Sequence, residues 1–429
     1  MRVGASLSEA SEPVRPVLSY RPFVMFFVGR IVSILSFQML VVAIGWQLYA
    51  LTGSAFDLGL LGLAQFVPMI ALTLVVGHVV DRYDHRLILL GCQLAEAGAA
   101  AILAFGTATG WLDPAVIYTA MVVVGSARAF EIPTMVAIIP ALVPRAIVPQ
   151  ATAYFATANQ AGAVIGPVLG GVLYGLFGLG PVTVYGAAIV LWCVGAFFIF
   201  MMHLEPVTRA AGAISLRSAL GGFAHVWKDK VVLGTISLDM CAVFLGGAGA
   251  LFPVFARDIL QTGPWGLGLL RAAPGVGAFL TSLTLARWPL TMPVGNVVFG
   301  VLTVFGVALI VFGLSTHLVL SLAALAVMGA ADVVSVVIRF SLVQLRTPVE
   351  MRGRVSAVNG MFTGTSNYLG DFRAGAVAAA IGAVPAVIIG GAGVLAITAL
   401  WLVMFPQLRR TRRLDEMPPA EAKPAPQAA

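Results

Sequence analysis

GHVVDRYDHR, residues 77–86, stands between two apolar runs, 56–78 and 87–108, each long enough to cross a bilayer. A spanning helix needs about 20 apolar residues, so this charged decamer reads as a tight turn at a membrane face. Within it Gly77, Asp81, Arg82 and Arg86 stand at the spacing GxxxDRxxxR. Outward from the turn the same alternation continues. Apolar runs broken by Gly, Pro or charge fall at 22–50, 56–78, 87–108, 114–139, 150–175, 180–202, 231–256, 264–286, 294–314, 318–344, 355–381 and 384–405. The spacing predicts twelve helices.

Composition agrees. The 429 residues are 60% hydrophobic and 10% charged, whereas a soluble domain carries about 25% charge. That excludes a cytosolic enzyme, a disordered chain and a nucleic-acid binder, although the formal charge is +7. Nineteen of the 25 Lys and Arg residues fall in the tails and even-numbered connections, against Arg257 alone in the odd-numbered ones, and the other five lie inside helices. Basic loops stay on the cytoplasmic side, so both termini are expected there. Cys92, Cys193 and Cys241 sit singly in apolar runs and read as small hydrophobes. The five histidines lack metal spacing, no phosphate loop or catalytic constellation is present, and neither a metal nor a cofactor is expected.

Residues 1–21 lack a secretory signal and read as a cytoplasmic tail; 22–202 and 231–405 form the two six-helix bundles, and 406–429 a disordered tail. The linker 203–230 holds Leu216, Leu220, Phe223 and Trp227 at helical spacing and reads as an amphipathic helix on the inner membrane surface. Sliding the chain by 204 residues aligns Gly125 with Gly329, Pro144 with Pro348, Gly166 with Gly370, Gly178 with Gly382, Pro181 with Pro385 and Gly186 with Gly390. The chain thus reads as an all-α membrane protein, twelve helices in two pseudo-symmetric bundles. Such parallel halves flank a midplane substrate site in transporters.

An ionisable group at the bilayer centre costs at least about 2.5–3.5 kcal/mol and is a functional candidate. Asp239 has no basic residue within two turns on its own helix, which makes it the first choice for carrying an exchangeable proton. Asp332, opposite Arg128 in the repeat, is the second, followed by Glu131 and Glu96. Arg128 and Glu131, three apart, share a face and can pair; Asp332 and Arg339 also lie on one side. Arg271 and Arg373 read as members of structural ion pairs, and Asp371 and Arg373 need partners on other helices. Arg30 either lines the cavity or reaches back to the inner interface. Asn159, Gln160, Asn367, Phe37, Trp46, Phe66 and Tyr154 are either cavity groups or packing.

The turn at 77–86 resembles the loop signature of the major facilitator superfamily, departing from it at Asp84, where the pattern has glycine. That resemblance implies a charge network of the aspartate and arginines that latches the cytoplasmic face. Gly162, Gly166 and Gly170 recur every four residues around Pro167, a spacing that lets helices approach closely, and the form GPxxGG (Gly166, Pro167, Gly170, Gly171) resembles the fifth-helix motif of the superfamily's antiporters. IIPALVP at 138–144 and QLRTPVEMRGRVSAVNGMFTGTSNYLGDFRAG at 344–375 are similar to the bacterial siderophore-exporter branch and, more distantly, to macrolide efflux proteins. The resemblance implies a monomeric, proton-coupled antiporter of the bacterial inner membrane, exporting a small siderophore-like molecule. Multidrug or macrolide efflux is the alternative, and a transport-dead sensor of the same fold ranks behind both.

Overall fold

The computed structural model describes residues 16–175, 180–202, 223–224, 226–227, 229–288, 293–348 and 351–409. Among these there is no strand. The first half holds α1 (Arg21–Thr52), α2 (Ala55–Arg82), α3 (His85–Thr109), α4 (Pro114–Leu142), α5 (Val148–Gly175) and α6 (Pro181–Met201). The second holds α7 (Lys230–Gly246), α8 (Gly263–Arg287), α9 (Val294–Leu314), α10 (Leu318–Arg346), α11 (Arg352–Ile381) and α12 (Ala383–Met404). All twelve expected helices are present.

Local chemistry fixes several ends. Ser54, Asp84, Asp113 and Asp229 cap α2, α3, α4 and α7 through side-chain oxygens that accept backbone N–H bonds. Asp84 therefore replaces the usual loop glycine at no backbone cost, because its φ of −65° is an ordinary one.

The run expected as one continuous helix over 231–256 differs in one respect. It breaks after Gly246 and resumes as a single turn at Gly249–Leu251, then Phe252–Val254 and a π turn at Phe255–Ile259. Gly246, Gly247 and Gly249 remove the side chains that favour helix at this point, and polar groups from α11 satisfy the freed backbone, as described below.

The repeat is realised in space. In the first half α1 packs on α5 and α6, α3 on α4 and α6, and α2 on α4; in the second α7 packs on α11 and α12, α9 on α10 and α12, and α8 on α10. The halves meet along two equivalent seams, α2 with α11 and α5 with α8. Among the described residues ten of the twelve helices have the length and apolarity of a membrane span, α7 when taken with its continuation to Ile259, and α5 and α11 do not. These two hold equivalent places and carry Asn159 and Gln160, or Asn367, Asp371 and Arg373, on seam-forming helices. Most of the linker lies outside the described residues. At its end Val226 is buried against Val232, Ile236, Val343, Val355 and Val358, while Phe223 and Trp227 stay exposed and stack on each other.

Candidate functional site

Each half buries its own charge cluster. In the first, Glu131 of α4 accepts a 2.6 Å hydrogen bond from Ser33 of α1 and lies 3.6 Å from Arg128 and 3.9 Å from Arg30. The pairing expected from the three-residue spacing of Arg128 and Glu131 is formed. Arg128 also sits 3.7 Å above the Phe37 ring. Arg30 does not reach back to an interface: it is 5% exposed, donates to Asn159 Oδ1 at 2.7 Å and lies over Phe155. Glu96 of α3 is wholly buried within the field of these three charges.

In the second half the partners differ from those the sequence suggested. Arg339 of α10 pairs with Asp239 of α7, and the Ser335 hydroxyl lies 3.5 Å from the same carboxylate. Asp239 therefore stands alone along its own helix and not across the bundle. Asp332, one face and two turns away on α10, is left half-buried at the middle of its helix, with no hydrogen bond or ion pair to a described residue.

Asp371 and Arg373 divide the α7 break between them. Asp371 accepts a bond from the Ala250 N–H at 3.1 Å, and Arg373 donates to the carbonyls of Phe244, Leu245 and Gly247 at 3.0, 2.7 and 3.3 Å. A helix start presents unpaired donors and a helix end unpaired acceptors, so the acid serves the outgoing segment and the arginine the incoming one. The reading of Arg373 as an ion-pair member is corrected accordingly: its donors go to backbone.

The turn at 77–86 is only partly engaged. Arg86 donates to the carbonyls of Ile199 (3.1 Å) and Phe200 and lies over the Phe200 ring, closing the end of α6. Asp81 is exposed without a hydrogen bond or ion pair to a described residue, Arg82 is exposed, and nothing crowds Gly77. The glycines of α5 face two ways. Gly162, Gly166 and Gly170 press against Ile34, Gln38 and Met39 of α1, whereas Gly171 meets Pro264, Trp265 and Gly268 of α8. Gln160 adds a 3.2 Å bond to the Gly275 carbonyl on the same seam, and Asn367 bonds only within its own helix.

The Gln160–Gly275 bond lies near the middle of its two helices, and the Gly171 contact lies toward the end opposite both termini, as do further contacts on the other seam. Phe56 meets Phe372, Phe66 stacks on Tyr368 at 5.3 Å, and Gly59 meets Gly375. Above them the Tyr49 hydroxyl of α1 donates to Asp258 in the π turn, and Arg257 donates to the Tyr49 carbonyl at 3.2 Å. This tie is not legible in the sequence, where Arg257 falls in an odd-numbered connection and Tyr49 within an apolar run. A hydrogen bond to a carboxylate contributes about 1.5–3 kcal/mol. Tyr49→Phe is therefore expected to shift the population toward a form parted at this end, seen as longer distances between spin labels at Ser54 and Ile381.

Residues 13–428 match the family described as transmembrane secretion effector. The chain is 29% identical over 405 residues to the enterobactin exporter EntS of Escherichia coli O1:K1 / APEC, covering 90% of this chain and 92% of that one. Among solved structures, a mutant of the nucleoside transporter NupG superposes with a TM-score of 0.73 at 14% identity, covering 90% of this chain and 100% of that one. A bacterial homolog of the human lysosomal transporter Spinster, in an inward-facing and unoccupied conformation, gives 0.67 at 16% identity, covering 92% and 97%.

Proposed function

Because the chain belongs to the transmembrane secretion effector family of the major facilitator superfamily, we propose that it exports a small siderophore-like organic molecule from a bacterial cytoplasm in exchange for protons. It is a multi-pass membrane transporter and not an enzyme. The observation that carries the mechanism is a one-ended seal: close contacts between the halves, Gly59 with Gly375, Phe56 with Phe372 and Gly171 with Pro264, gather toward the end away from the termini, whereas nothing stands within 4 Å of a side chain placed at Gly77, Gly353, Gly360 or Gly364 toward the other end. With both termini cytoplasmic, as the basic connections favour, this is the inward-open state that would receive cargo from the cytoplasm. Rocking about the seams would close the inner end. Asp81, at the end of α2, would then meet the first turn of α11, where helix N–H groups and Arg352 and Arg354 attract an anion.

Of the buried acids, Asp332 is best placed to carry the proton in this state, because Asp239 is held by Arg339 while Asp332 has no hydrogen bond or ion pair among the described residues. Asp239, Glu131 and Glu96 are the reserve sites, with Arg128 and Arg30 the cations that would stabilise their charged forms. Similarity to EntS supports the siderophore-like cargo. Inverted membrane vesicles energised by a proton gradient test this reading with an iron-free siderophore, a macrolide and a dye. Uptake of the siderophore alone is expected, with Asp332→Asn losing gradient-driven uptake at least tenfold. Uptake of all three supports drug efflux instead, and uptake of none supports the sensor.

A further inference from the structure

Five arginines lie inside the spanning helices: Arg30, Arg128, Arg271, Arg339 and Arg373. Four are spoken for, Arg30 and Arg128 by Glu131, Arg339 by Asp239 and Arg373 by the carbonyls of the α7 break. Arg271 of α8 hydrogen-bonds and ion-pairs with no described residue, and its Nε is buried with no partner. The acid whose charge reaches it is Asp371. No ion pair forms between them, and Asp371 is committed to the backbone of Ala250.

The surroundings of Arg271 are those of a ligand site. Its Nη2 lies 3.7 Å from where a side chain on Gly45 of α1 would begin, and Asp371 borders Gly62 of α2 and Gly249 in the outgoing segment of α7. Residues from both halves thus converge there, about 12 Å below the sealed end at 1.5 Å per residue. The Phe66–Tyr368 stack stands beside Gly62, and of these glycines Gly45 is the one next to the guanidinium. An unpaired guanidinium cannot shed its proton and is costly in a low dielectric. Among the described residues the charge of Asp371 is all that offsets that cost, and no hydrogen bond or ion pair does.

We infer that Arg271 is the anion-recognition residue of the transport site, taking a carboxylate-type organic anion of the cargo at the sealed end of the cavity between the halves. Its planar fork matches a carboxylate or vicinal phenolate with two parallel hydrogen bonds. This rests on the transporter reading above and narrows its cargo to anions. A bound anion would touch α8 directly and α1 across Gly45, so it would bear on both halves.

The test is binding by the purified full-length protein, followed as a rise in melting temperature with benzoate, with its neutral isostere benzamide, and with potassium chloride at equal ionic strength as baseline. Benzoate alone is expected to stabilise the wild type, with at least tenfold weaker apparent affinity in Arg271→Gln and partial retention in Arg271→Lys. Without ligand, Arg271→Gln is expected to melt no lower than the wild type, because a stranded charge is removed; a purely structural arginine would lower it. Equal stabilisation by benzamide or chloride, no stabilisation by benzoate, or benzoate binding that survives in Arg271→Gln overturns the site. The assay needs neither gradient nor turnover, so it can fail while vesicle export succeeds, and the reverse.

Discussion

Asp239→Leu, which strands Arg339 in the second bundle, is expected to destabilise the protein by about 3–5 kcal/mol, the usual cost of breaking a buried ion pair from one side. Arg339→Leu is expected to cost less, and least at low pH. The asymmetry is chemical: a carboxylate left alone is neutralised by taking a proton, whereas a guanidinium stays charged. Both side chains are about 5% exposed, so water offers little compensation to either. The double variant Asp239→Leu with Arg339→Leu removes both charges and fills similar volume, and is expected to recover most of the loss. Melting of the four purified proteins at pH 5 and pH 8 checks this. Equal losses in the single and double variants, or a larger loss for Arg339→Leu at both pH values, would mean that the pair is not what holds α7 to α10.

That pair also shows where the sequence stops being informative. Arg128 and Glu131 were legible because three residues along one helix place them on one face. Asp239 and Arg339 are 100 positions apart on helices whose contact only the packed bundle defines, so the nearer Asp332 looked the better partner. Asp371 and Arg373 were visible as buried charges needing partners elsewhere. Those partners are backbone atoms of a broken helix, which apolarity alone reads as continuous. The twelve helices, the duplicated halves and the charged turn, by contrast, depend on local runs, repeated spacing and caps, which sequence carries directly.

The repeat makes a sharper demand at Gly171 and Gly375, which the 204-residue offset superposes. Each forms the close approach of its seam. A side chain at Gly171 would begin 2.6 Å from the Pro264 carbonyl oxygen, and one at Gly375 would begin 2.6 Å from that of Ala55 and 2.7 Å from the Gly59 Cα. These are backbone atoms with no rotamer to change, so only separation of the helices makes room. Gly171→Val and Gly375→Val are accordingly each expected to part the halves at the sealed end and reduce transport at least tenfold. Each bundle should stay folded, because its internal contacts are untouched. Gly170→Val differs, since it meets Met39 within the first bundle and should act on folding rather than on the seam. Spin-label distances between Ser54→Cys and Ile381→Cys decide the matter. They should lengthen in the two seam variants while circular dichroism keeps its helical signal. Unchanged distances with normal transport would show that the seams do not set which end of the protein is closed.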